Sequence, residues 1–73
     1  KFKLFGESYG KLLHAAVEAA ESEKLSIIGT SKVPMKGDNE CLLLEVEIKD
    51  IAQMEMFIKK VKSSSVVESI RTV

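Results

Sequence analysis

Leu42, Leu44, Val46 and Ile48 fall two residues apart within Glu40-Cys41-Leu42-Leu43-Leu44-Glu45-Val46-Glu47-Ile48-Lys49-Asp50. An extended backbone turns all four to one side. Cys41, Leu43, Glu45, Glu47 and Lys49 take the other side, which is mixed and mostly polar. The pattern predicts a strand over Glu40–Asp50 with one buried and one part-solvated face, as in an open antiparallel sheet. It runs straight into a helix, because Asp50 is a favoured N-cap and Gln53 stands at the capping-box position.

The same periodicities divide the rest of the chain. Lys1-Phe2-Lys3-Leu4-Phe5 alternates and predicts a first strand ended by Gly6. If it lies beside the Glu40–Asp50 strand, Lys1 and Lys3 share the outer face with Glu45 and Glu47. Ser8 is the expected N-cap of a helix over Tyr9–Ser22. Its apolar stripe reads as Tyr9, Leu13, Ala16, Val17 and Ala20, widened by Leu12 and Ala19, with His14, Glu18 and Glu21 opposite. Leu25–Met35 predicts a second strand with Ile27, Ile28 and Val33 as its apolar positions. Lys32 and Pro34 put it at a sheet edge. Lys36-Gly37-Asp38-Asn39 is the hairpin turn that follows. A second helix over Ile51–Lys62 presents Ile51, Met54, Phe57, Ile58 and Val61 inward, with the Glu55–Lys59 pair in the favourable order. After Ser63-Ser64-Ser65, the β-branched run Val66–Val73 predicts a final strand. The order βαββαβ, closed by short right-handed connections, gives an α+β ferredoxin-like sandwich. It has a four-stranded antiparallel sheet, strands one and three central, and two helices on one face.

Seventy-three residues make one domain with a thin core. The chain opens on Lys1 rather than methionine, which we read as a piece of a larger protein. Eleven basic and eleven acidic residues cancel without forming blocks, which argues against a nucleic-acid partner. No apolar run reaches the roughly 20 residues that span a bilayer, so no membrane partner is expected. A lone cysteine, Cys41, rules out an internal disulfide and fits a cytoplasmic setting.

The chemistry of several families that share this plan lacks its atoms here. The first loop has no cysteine pair for a soft metal, and the central strand's open side carries Leu43, Glu45 and Glu47 instead of stacking aromatics. No phosphate-binding loop, zinc-protease helix or nucleophile elbow occurs. No cofactor is expected, and the chain reads as a non-enzyme. His14 beside Glu18 reads as a surface pair, Cys41 as a small apolar filler, and Met54 and Met56 as core and rim residues. The first turn is the most suggestive spot. Gly6 and Gly10 flank Glu7-Ser8-Tyr9, where free helix N–H groups suit an anion and Glu7 suits an ammonium. The plain alternative is a capped turn, and spacing alone favours it.

Tyr9-Gly10-Lys11-Leu12-Leu13 followed by Leu25-Ser26-Ile27-Ile28 resembles the first helix and second strand of ACT domains. Leu44–Asp50, Phe57-Ile58 and Val67-Glu68-Ser69-Ile70-Arg71 resemble the ACT domain that ends RelA/SpoT-type GTP pyrophosphokinases. The resemblance implies a non-catalytic regulatory domain of a (p)ppGpp synthetase/hydrolase. Its partners would be a second copy, as a homodimer, or the rest of its parent chain, with a small amino acid as effector. Glu7, Ser8, Tyr9, Gly10 and Ser26 would line the effector site. The family's Asp, Pro and Asn are replaced by Glu7 or Ser8, Tyr9 and Ser26, which shifts the expectation toward protein pairing. The alternatives are an ACT-like domain of an amino-acid biosynthetic enzyme, the effector and dimerisation domain of leucine-responsive regulators, or a small free-standing enzyme or metal carrier on the same plan.

Overall fold

The alternation around Leu44 becomes strand β3 (Glu40–Glu47) in a computed structural model that describes all residues from Lys1 to Val73. Around it lie β1 (Phe2–Gly6), α1 (Tyr9–Ser22), β2 (Ser26–Val33), α2 (Ile51–Lys62) and β4 (Ser69–Thr72). The sheet runs β2-β3-β1-β4 with every neighbour antiparallel. Strands one and three are central, as the order predicts, and the architecture is consistent with a ferredoxin-like fold. The helices touch each other and the same face of the sheet.

Strand alternation decides which side is buried. Phe2 and Leu4 of β1 and Leu42, Leu44 and Val46 of β3 enter one core with Leu12, Ala15, Ala16, Ala19 and Ala20 of α1 and Phe57 and Val61 of α2. Each large side chain removed from water there contributes about 1.5–3 kcal/mol. Phe2 meets Phe57 with ring centroids 5.4 Å apart at 47°, a tilted pairing that joins β1 to α2. The alanines let α1 lie close to the sheet.

Asp50 caps α2 through Oδ1, which accepts from the Gln53 N–H at 2.7 Å. Gln53 Oε1 accepts in return from Lys49 N at 2.9 Å, one residue before the usual box partner. The Gln53 amide also reaches the Glu23 carbonyl at 3.5 Å, tying the start of α2 to the end of α1. Helix α1 closes with Leu25 N on Ala20 O at 2.8 Å and Lys24 N on Glu21 O at 3.1 Å, the two bonds of a Schellman ending. Lys24 takes the left-handed position (φ 57°) that glycine usually fills.

Several expectations are corrected. The second strand is shorter than Leu25–Met35, because Leu25 belongs to the helix ending and the chain leaves the sheet at Pro34. A bulge sits between Ile27 and Gly29, and the extra residue, Ile28, is left 60% exposed rather than packed. The third strand stops at Glu47, and the final one covers Ser69–Thr72, while Val67 anchors the preceding loop in the core. Ile51, assigned to the inner stripe, is 71% exposed. The buried line of α1 runs through Ala15 and Ala19, with Leu13 and Val17 half-buried at its border. Gly6 is the last residue of the first strand, as expected. A Cβ there would stand 2.4 Å from the Val66 carbonyl oxygen and 2.8 Å from Leu12 Cδ2, so the close approach demands glycine.

Candidate functional site

Two places stand out: the corner where β1 enters α1, and the face of the sheet away from the helices. At the corner, Glu68 N donates to Phe5 O at 2.7 Å and brings the loop before β4 against the first turn. A cleft of about 490 Å³ results, walled by Glu7, Ser8, Lys11, Ser65, Val66 and Glu68. Ser8 Oγ caps α1 by accepting from Lys11 N at 3.4 Å. The cleft holds two carboxylates and one ammonium on an open, mostly polar wall. It offers no nucleophile paired with a base.

The five residues expected to line an effector site separate. Glu7 and Ser8 wall this cleft, and Gly10 borders the next groove beside Lys11, His14 and Ala15. Tyr9 belongs to another cluster, its ring 5.9 Å from Lys32 Nζ. Ser26 opens β2 opposite Glu47, whereas Gly6 lies opposite Glu40. Seven residues of β3 separate these levels, about 23 Å at strand rise. One chain therefore does not gather all five. Sequence reading missed Lys11, Ser65, Val66 and Glu68 at the corner. The last three come from the far end of the chain, where no local signal announces the pairing.

The Tyr9 cluster was also unforeseen. Lys32 Nζ stands 2.7 Å from Glu40 Oε2, an oxygen shut off from water to which no well-aligned hydrogen bond is made; the contact is an ion pair. The Lys32 ammonium holds the Glu40 carboxyl below its ordinary range; partial burial opposes this, and the Tyr9 backbone N–H adds to it. His14 Nε2 lies 2.9 Å from Glu18 Oε1, both well exposed, a surface pair. No group of three or more His, Cys, Asp or Glu side chains is placed to hold a metal ion.

On the open sheet face, Phe5, Leu43 and Val33 are half-buried with no layer above them. Cys41 lies among them, 1% exposed, and burial pushes its thiol up while Lys3 pulls weakly the other way. Arg71 lies over the Phe5 ring at 6.0 Å, and Lys1 Nζ reaches Glu45 Oε1 at 3.9 Å, the cross-strand pairing expected from the alternation.

No family model matches the chain, and no curated protein matches it. Among solved structures, it is similar to the C-terminal domain of the MgtC protein from Mycobacterium tuberculosis, with a TM-score of 0.76 and 14% identity over 96% of this chain and 79% of that one. Identity this low carries the fold alone. The finding overturns the reading as an ACT domain of a RelA/SpoT-type GTP pyrophosphokinase, since nothing found links the chain to either. The readings as a domain of an amino-acid biosynthetic enzyme, a leucine-responsive regulator, or a free-standing enzyme or metal carrier gain no support either. The physical reason is plain. Leu44–Asp50 and Val67–Arg71 are the alternating apolar positions that any sheet of this order requires, so they report a fold and not a family. No helix is long and apolar enough to cross a membrane.

Proposed function

We propose that this chain is a non-catalytic contact domain of a larger protein, working through the open face of its sheet. The carrying observation is that face itself: Phe5, Leu43 and Val33 stand half-buried on a side that no helix covers. A sheet whose bare face gathers Val33, Cys41, Phe5 and Leu43 toward one end of its strands, with Lys3, Lys1 and Glu45 toward the other, offers an apolar patch bordered by charge, as docking surfaces do. The corner cleft supports this reading by what lines it, because its polar wall presents no reactive pair. The similar fold occurs as the C-terminal domain of a larger protein, which fits the role of an attached module. The single buried thiol of Cys41 suits a reducing, cytoplasmic compartment.

The test compares this chain, dilute and alone, with the longer protein that carries it, following Leu43 and Val33 methyl signals under a soluble relaxation agent. The reading expects those methyls to be exposed in the isolated domain and shielded in the longer protein. Equal exposure in both overturns it.

A further inference from the structure

We infer that the open face docks a second copy of this chain, sheet against sheet, about a twofold axis parallel to the strands. This rests on the contact-domain reading and names the partner. The layout of the face across the order β2-β3-β1-β4 points to that partner. At one level the register aligns Gly29, Glu45, Lys1 and Val73. At the next it aligns Ser31, Leu43, Lys3 and Arg71. At a third it aligns Val33, Cys41, Phe5 and Ser69, where a twofold along the strands sets Val33 over the small Ser69 of the other copy. The β1–β4 half thus presents Lys1, Lys3, Arg71, Phe5 and Val73, and the β2–β3 half presents Gly29, Ser31 and Glu45 beside the apolar Leu43 and Val33.

A twofold axis along the strands exchanges these halves and preserves each level. It lays Lys1 over the second copy's Glu45 and sets Lys3 beside that same carboxylate. The Phe5 ring falls over Cys41 of the other copy. Val73, 58% exposed, meets Gly29, above which a Cβ would find nothing within 4 Å. Bulk faces hollow and cation faces anion, twice over by symmetry. The in-plane axis across the strands fails the same comparison, because it sets Lys3 against Lys3 and Arg71 against Arg71. Aligned face-to-face sheets pack about 10 Å apart, within reach of these side chains.

Sedimentation of the 73-residue chain over a range of concentrations tests the inference. The native chain should show a concentration-dependent dimer. Gly29→Lys fills the hollow and should raise the dissociation constant about tenfold or more with an unchanged circular dichroism spectrum. Ser31→Arg, which places like charge against Arg71, should do the same and covers the case in which the glycine variant folds poorly. Glu45→Lys should weaken the dimer, and combining it with Lys1→Glu should restore it. A chain that stays monomeric to about 1 mM, or a dimer indifferent to both Gly29→Lys and Ser31→Arg, overturns the inference. Either result leaves the contact-domain reading to its own test, the methyl shielding in the longer protein.

Discussion

Gly6 and Gly10 look alike in the sequence and differ in the structure. At Gly6 an added Cβ meets the Val66 carbonyl oxygen at 2.4 Å, and backbone cannot step aside as a side chain can. Gly6→Ala should cost about 1–3 kcal/mol, the range for overpacking, read as a lower urea midpoint. At Gly10, inside the first turn of α1, the nearest atom to an added Cβ is Ser8 Oγ at 4.0 Å. Gly10→Ala should stabilise by about 0.5–1 kcal/mol. Lys24 bears the left-handed strain that closes α1, so Lys24→Gly should stabilise by about 1 kcal/mol in the same assay. No side-chain pattern could have disclosed that strain, because lysine carries no turn signal. Cys41 was legible as filler, and its burial and raised thiol pKa predict slow reaction with a thiol reagent until the chain unfolds. The sign follows from the unfolded chain's lower pKa. Above the ordinary thiol value, unfolded chains lose that proton first, so stability falls as pH rises. Fast labelling at neutral pH of the folded protein would contradict this.

Helix ends were the most legible elements. Asp50 and Gln53 announce the start of α2: Asp50 makes the cap bond expected of it, and Gln53 reaches back one residue further, to Lys49 N. Asp50→Ala should cost about 0.5–2 kcal/mol, with Asp50→Asn nearly neutral, measured by thermal unfolding. The apolar stripes were legible in period but not in extent: Ile51 satisfies the helical spacing yet, as the first residue of α2, stays exposed. Strand β2 was read as an edge from Lys32 and Pro34, but the bulge at Ile28 was invisible, because pairing with β3 and not local preference creates it. Lys32 guards that edge while pairing with Glu40. Since Glu40 has a lowered pKa in the fold, its contribution is present above the ordinary carboxylate value. It is lost as pH falls through the folded one. Lys32→Met should therefore flatten the acid side of the stability profile; an unchanged profile would show the pair to be idle.

At the scale of the whole molecule, the βαββαβ order and its central strands could be read because alternation and helical period leave few ways to close so short a chain. The candidate site could not. Glu7 and Glu68 meet because β4 lies beside β1, and Ser26 is carried to the far end of the sheet by the same register. Short apolar motifs that recur wherever this sheet forms pointed to a family that the comparisons do not support. What the molecule adds to its sequence is asymmetry, since both helices cover one face and leave Phe5, Leu43 and Val33 on the other. The most direct measurement mixes labelled and unlabelled chains and records isotope-filtered contacts between copies. The account predicts cross-peaks from Val73 methyls to Gly29 and from Phe5 ring protons to Cys41. Contacts confined to the amides of the β2 or β4 edge, or none between copies, would contradict it.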